Sequence, residues 1–94
     1  MTYLDNLADR IRNCLPAGTS VPDDADRLFL LYAVILRAKG SDVTASDVHD
    51  AWAAWMQEQD PGHDALRPYD DLAPSVQAED APFLQAIRDA AQQG

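Results

Sequence analysis

Apolar side chains recur every three or four residues near the start of the chain, which is the spacing of one face of an α-helix. Around residues 3–14 this face consists of Leu4, Leu7, Ile11 and Leu15. Pro16 and Gly18 follow directly, and both residue types interrupt helices. The spacing therefore predicts a first helix over residues 3–14, followed by a turn-rich connector.

A second helix is predicted over about residues 24–39. Pro22 and Asp23 favour a helix start, and Gly40 is the residue type that most often follows a helix end. The run LFLLYAVIL at residues 28–36 is apolar on nearly every side. Because a helix that is hydrophobic all round is normally buried, we expect this helix to lie at the centre of the fold.

A third helix is predicted to begin after Thr44. Asp47 lies three residues later, which resembles a capping box with Asp in place of the usual Glu or Gln. The apolar face that follows consists of Val48, Ala51, Trp52, Trp55 and Met56. Pro61 and Gly62 then end the helix.

Residues 63–72, HDALRPYDDL, show no clean hydrophobic period. We expect an ordered loop there, because Leu66, Tyr69 and Leu72 are large enough to anchor it to a core. Residues 74–79 are predicted to form a short helical turn that Pro74 opens.

The final helix is predicted to start at Asp80 as its N-cap, with Pro82 tolerated in the first turn. Its buried face would consist of Phe83, Ile87 and Ala91. Strand signals are weak throughout, so we predict an all-α fold: a small single-domain bundle of about four helices with an ordered loop before the last. The single domain would span residues 1–94, with a helical pair in residues 1–40.

Composition narrows the classes of function. The chain has 94 residues, of which 47% are hydrophobic, enough for one modest core. Its net charge of −9 argues against nucleic acid and against an anionic membrane surface as partners, because both attract clustered Lys and Arg. A single cysteine, Cys14, and an N-terminus without an apolar run are typical of a cytoplasmic protein.

No set of residues with catalytic or metal-binding spacing is visible in the sequence. His49 and His63 are the only histidines, and a zinc site would need two further donors at suitable spacing. A nucleophile pair of Cys14 and His49 is formally available, but Cys14 lies on the apolar side of the first helix, where cysteine is usually inert. We therefore expect no enzyme activity, no metal and no cofactor.

Trp52 and Trp55 are three residues apart and share one face of the predicted third helix. Both can be core residues, or one can form a stacking platform for a flat ligand or a cation. His49 lies on the same side and could hydrogen-bond that ligand. Arg67 could contact a phosphate or pair with a nearby Asp.

Two blocks of the second half resemble the ryanodine-receptor repeat, or RyR domain. HDAWA at residues 49–53 is similar to the family's HExWA helix, and HDALRPYDDLAP at residues 63–74 is similar to its HPxLxPYxxLP loop. An acidic helix follows in both. The resemblance covers residues 48 to about 90, and the half that carries it spans residues 44–92. The family's Gly-Trp-rich insert between the blocks is absent, and residues 1–40 look like the N-terminal helices of small actinobacterial and actinophage proteins.

The resemblance implies an all-helical, non-enzymatic module whose motif tryptophan helps to line a pocket for nucleotide-like ligands. Carried over, the ligand-binding positions are His49, Trp52, Arg67 and Tyr69. The motif positions with a structural role are His63, Leu66, Pro68, Leu72 and Asp80. A single copy could need a second chain to complete the pocket, so a homodimer is also considered.

Three alternatives remain open at this point. The module could dock a protein partner instead of a small molecule. It could also be an acidic accessory protein of a phage or mobile element that mimics DNA phosphates toward a basic protein, or a structural subunit. Loop holding, rather than ligand binding, is the simpler role for Trp52.

Overall fold

The computed structural model describes residues 2–93, and these form five α-helices. The helices are α1 (Tyr3–Asn13), α2 (Asp26–Lys39), α3 (Ala45–Gln59), α4 (Pro74–Gln77) and α5 (Ala81–Gln93). Three 3₁₀ turns lie between them, at Gly40–Asp42, Tyr69–Asp71 and Ala78–Asp80. No strand occurs in this part of the chain, and the predicted all-α bundle of four longer helices, with its ordered loop, is confirmed.

The start of α3 is fixed by the predicted capping box. The Thr44 side chain accepts a hydrogen bond from the Asp47 backbone N–H, and the Asp47 carboxylate accepts one from the Thr44 N–H. Thr2 and Asp5 form the same reciprocal pair at the start of α1, although that box was not predicted from the sequence. Each box gives partners to backbone donors that a helix leaves unpaired.

The predicted start of α2 at about residue 24 is two residues too early. The helix begins at Asp26, and the residue before it, Ala25, makes no side-chain cap. Asp24 has a φ of 54°, in the left-handed region, so the helix cannot begin there. Gly40 ends the helix at a φ of 57°, as its residue type predicts.

Helix α2 is the central element, because it packs against α1, α3 and α5. Its buried residues are Leu28, Phe29, Tyr32, Ala33 and Leu36. Phe29 and Tyr32 pack edge to face, with ring centroids 5.6 Å apart, and both contact Phe83 of α5. The expectation of a central second helix is therefore confirmed.

A side chain of α5 ties the two halves of the chain together. Arg88 donates hydrogen bonds from Nε and Nη2 to the backbone carbonyl of Val43, at 3.2 and 3.0 Å. Val43 is fully buried in the junction that precedes α3. The bond fixes α5 against this junction.

Within residues 2–93, no helix has the length and apolar character needed to cross a membrane.

Candidate functional site

A cleft of about 290 Å³ opens where α2, α3, α5 and the segment between α3 and α5 meet. It is lined by Ser20, Pro22, Leu28, Tyr32, His49, Trp52, His63, Ala65, Val76, Glu79, Asp80 and Phe83. Four of the residues singled out from the sequence, His49, Trp52, His63 and Asp80, are therefore brought together. The cleft also takes walls from the first 40 residues, namely from Ser20, Pro22, Leu28 and Tyr32.

His49 is the one polar residue in the buried core of the described chain, with 2% of its surface exposed. Its Nε2 lies 2.6 Å from the backbone carbonyl oxygen of Arg67. A carbonyl oxygen can only accept, so Nε2 carries a proton and donates it to this bond. His49 thereby holds the loop against α3.

The other ring nitrogen of His49 faces Asp80. Nδ1 and Asp80 Oδ2 are 3.7 Å apart, longer than a direct hydrogen bond. Burial raises the pKa of Asp80, the charge of His49 opposes this rise, and Glu79 adds to it. Helix α5 begins at Ala81, directly after Asp80 as predicted, and the Asp80 carboxylate faces His49 of α3.

Trp52 lies between the two histidines. Its ring is stacked on that of His49, with centroids 5.5 Å apart and planes 26° apart, and it meets His63 edge to face at 5.2 Å. His63 is fixed in turn, because its Nδ1 accepts a hydrogen bond from the Ala65 N–H. Trp52 is half-buried and lines the cleft, whereas Trp55 is buried in the core. The two tryptophans thus differ in burial, and Trp52 contacts the loop through His63.

The wall opposite Trp52 comes from α2 and α5. Tyr32 and Phe83 lie there with ring centroids 5.8 Å apart. Burial and the negative charge of Asp80 both raise the pKa of Tyr32. The sequence offered these two residues only as core positions, because helical spacing cannot distinguish a core contact from a cleft wall.

Arg67 and Tyr69 are placed differently from the cleft residues. Arg67 contributes its backbone carbonyl to His49, while the residue is exposed and borders a shallow depression beside the cleft. Within residues 2–93 it makes no ion pair, so the pairing considered from the sequence is not seen. The Tyr69 ring lies 6.3 Å from that of His49, and its carbonyl accepts a hydrogen bond from Gln77.

The remaining motif residues shape the loop. Leu72 is buried, Leu66 is half-buried, and Pro68 is exposed with its carbonyl accepting from the Asp71 N–H. Leu66 donates its N–H to the carbonyl of His63. These contacts make the loop ordered, and none of the three side chains lines the main cleft.

The other candidates for chemistry lie apart from the cleft. Cys14 caps the end of α1, and its Sγ accepts a hydrogen bond from Gln93. It does not line the cleft with His49. Across residues 2–93, no group of three or more His, Cys, Asp or Glu side chains is arranged to hold a metal ion.

Fold and cleft together define a small all-α domain with one aromatic-walled cleft beside an anchored loop. The chain belongs to the DUF7701 family, a domain of unknown function, whose model matches residues 2–92. No curated protein matches the chain. No solved structure matches it either.

Proposed function

We propose that this protein is a non-enzymatic binding module that takes the flat ring of a nucleotide-like ligand into the cleft beside Trp52. The observation that carries the proposal is the position of Trp52: half-buried, held between His49 and His63, and lining the cleft. A flat ring can stack on an indole, and a ring that is already held in place loses little entropy on binding.

The size of the cleft limits the ligand. Its volume of about 290 Å³ is at the lower end of the range for small-molecule sites. Such a cleft suits a one- or two-ring heterocycle, with any sugar or phosphate outside. The depression that Arg67 borders shares His63, Ala65, Val76 and Glu79 with the cleft, so a ligand could extend into it.

The geometry of His49 supports binding rather than catalysis. In a catalytic His–Asp pair, one ring nitrogen faces the carboxylate and the other faces the reacting group. Here Nε2 is already committed to the Arg67 carbonyl, so it has no free position from which to move a substrate proton. The His49–Asp80 pair is therefore better suited to anchoring the loop against α3 and to determining the electrostatic potential inside the cleft.

The residues of α2 that line the cleft are relevant to whether a second chain is needed to complete the binding site. Tyr32 and Leu28 provide, within one chain, the side of the cleft that a partner subunit would otherwise supply. This supports a monomeric binding site over a site that a homodimer completes. It also supports the ligand-binding role that the RyR resemblance implies for Trp52. The family's insert is absent, but residues of α2 provide a wall of the cleft in its place.

The alternative of an acidic decoy has less support. A phosphate mimic needs carboxylates free to meet a basic partner, yet several acids have local partners. Asp5 and Asp47 complete helix caps, and Asp26 and Glu58 pair with arginines at 2.9 Å. Part of the negative charge of the chain therefore stabilises the fold and is not free to meet a basic partner.

Calorimetry and fluorescence with adenosine, guanosine and their monophosphates test the proposal. In Trp55→Phe protein, Trp52 is the only indole, so a stacked ring should quench its emission. We expect saturable quenching in Trp55→Phe protein with matching calorimetric heat, and loss of that heat in Trp52→Ala. No binding of any compound, with Trp52→Ala changing only stability, would contradict the proposal.

A further inference from the structure

The lining of the cleft combines aromatic rings with negative charge. Trp52, Tyr32 and Phe83 supply the rings, and Glu79 and Asp80 supply the carboxylates. Among the described lining residues there is no Lys or Arg. Aromatic faces and carboxylates both attract cations, whereas a phosphate inside the cleft would meet the two carboxylates and no Lys or Arg side chain.

We propose that the cleft selects a flat organic cation, such as an N-methylated or protonated nucleobase, and that Asp80 supplies its counter-charge. This inference rests on the proposed function, because it names the class of ring that the same cleft accepts. In this proposal the cleft recognises a positive charge on the ring itself, and not the negative charge of a phosphate.

The Asp80 carboxylate is placed so that it can accept a hydrogen bond from a ligand in the cleft. Its side chain is 14% exposed, and its distance of 3.7 Å from His49 Nδ1 leaves the carboxylate without a short bond on that side. An additional N–H donor on a ligand could therefore bond to it. A charge-assisted bond of this kind is stronger than a neutral one.

The surroundings of Asp80 also favour a cationic ligand. The groups that face it are His49 from α3, Tyr32 from α2 and the adjacent Glu79. Burial and Glu79 raise the pKa of Asp80, and a bound cation would offset both by favouring the ionised carboxylate. The net charge of −9 would further draw cations toward the protein at low salt.

Two isomeric nucleosides test the inference by calorimetry at pH 7. 1-Methyladenosine is protonated at this pH and carries a positive charge on its ring, whereas N6-methyladenosine has the same heavy atoms and is neutral. We expect the cation to bind about tenfold more tightly. In Asp80→Asn this preference should fall to about twofold or less, because the counter-charge is lost.

Control variants separate a local effect from net charge and from misfolding. Asp9→Asn on α1 removes the same charge away from the cleft, and we expect it to keep the preference of the wild type. If Asp80→Asn fails to fold by circular dichroism, the exposed Glu79→Gln should reduce the preference by a smaller factor. Equal or tighter binding of N6-methyladenosine to the wild type would overturn the charge selection and leave the ring-binding function standing. No binding of either nucleoside, together with none in the panel above, would overturn both.

Discussion

The two sides of this domain are held together by different forces. On one side, α1, α2 and α5 enclose apolar residues such as Ile11, Phe29 and Ile87, each 1% exposed or less. On the other side, the loop between α3 and α4 is held by one buried histidine, by the aromatic contacts of His49 with Tyr69 and of Trp52 with His63, and by short turns. Apolar burial is non-directional and does not require a fixed geometry between particular atoms. The position of the loop, in contrast, depends on a few directed bonds. The cleft lies where the two sides meet.

The largest effect is expected when the apolar side is disrupted. Phe29→Ala removes a ring that packs against Tyr32 and Phe83, and we expect a loss of about 3–5 kcal/mol in the free energy of unfolding. Urea denaturation measures this. Val34→Ala on the same helix is the control, since Val34 is 48% exposed and should change stability by less than about 0.5 kcal/mol. Equal losses in the two variants would show that the core is not centred on α2.

A smaller and local effect is expected on the loop side. His49→Ala leaves the Arg67 carbonyl without its donor, and we expect a loss of about 1–3 kcal/mol. Hydrogen exchange should become faster mainly in residues 63–72, with little change in the core of α2. His63→Ala is the matched control and should have a weaker effect, because its bond to the Ala65 N–H lies within the loop itself. Uniformly faster exchange over the whole chain would contradict a separately held loop.

The smallest effect is expected at the cap of α3, and it should depend on pH. The Thr44 backbone bond and then the Lys39 ammonium lower the pKa of Asp47 below its ordinary 3.8. Asp47 therefore stabilises the fold above pH 3.8, and this contribution is lost as the pH falls through its folded pKa. We expect Asp47→Asn to cost about 0.5–1 kcal/mol at neutral pH and progressively less in acid. Urea titrations at several pH values measure this difference, with the exposed Asp42→Asn as control. A cost that persists unchanged in acid would show that the charge of Asp47 is not responsible.

The sequence predicted well what depends on near neighbours. The Thr44 cap, the end of α2 at Gly40 and the central position of α2 all follow from residue types a few positions apart. The start of α2 was placed too early because the backbone turns left-handed at Asp24, and Pro22 and Asp23 gave no sign of that turn.

The candidate site was predicted in part. His49 and Trp52 do lie on one side of α3, as their spacing predicted, whereas the contact of His63 with Trp52 was not predicted. The opposite wall, with Tyr32 and Phe83, was missed because it depends on packing between distant helices. The contribution of Arg67 was also missed, because its contact with His49 is made by a backbone carbonyl, which every residue has and no side-chain pattern reveals.

The Arg88 bond to the Val43 carbonyl has a consequence for how the protein folds. It joins residues 45 positions apart, and such contacts form only after the chain has paid the entropy of closing a long loop. The cleft needs this closure, because Phe83 of α5 must reach Tyr32 before the opposite wall exists. Local helices can therefore form early, while the cleft appears with the completed fold. A ligand that binds there would slow unfolding and have little influence on the first helical steps.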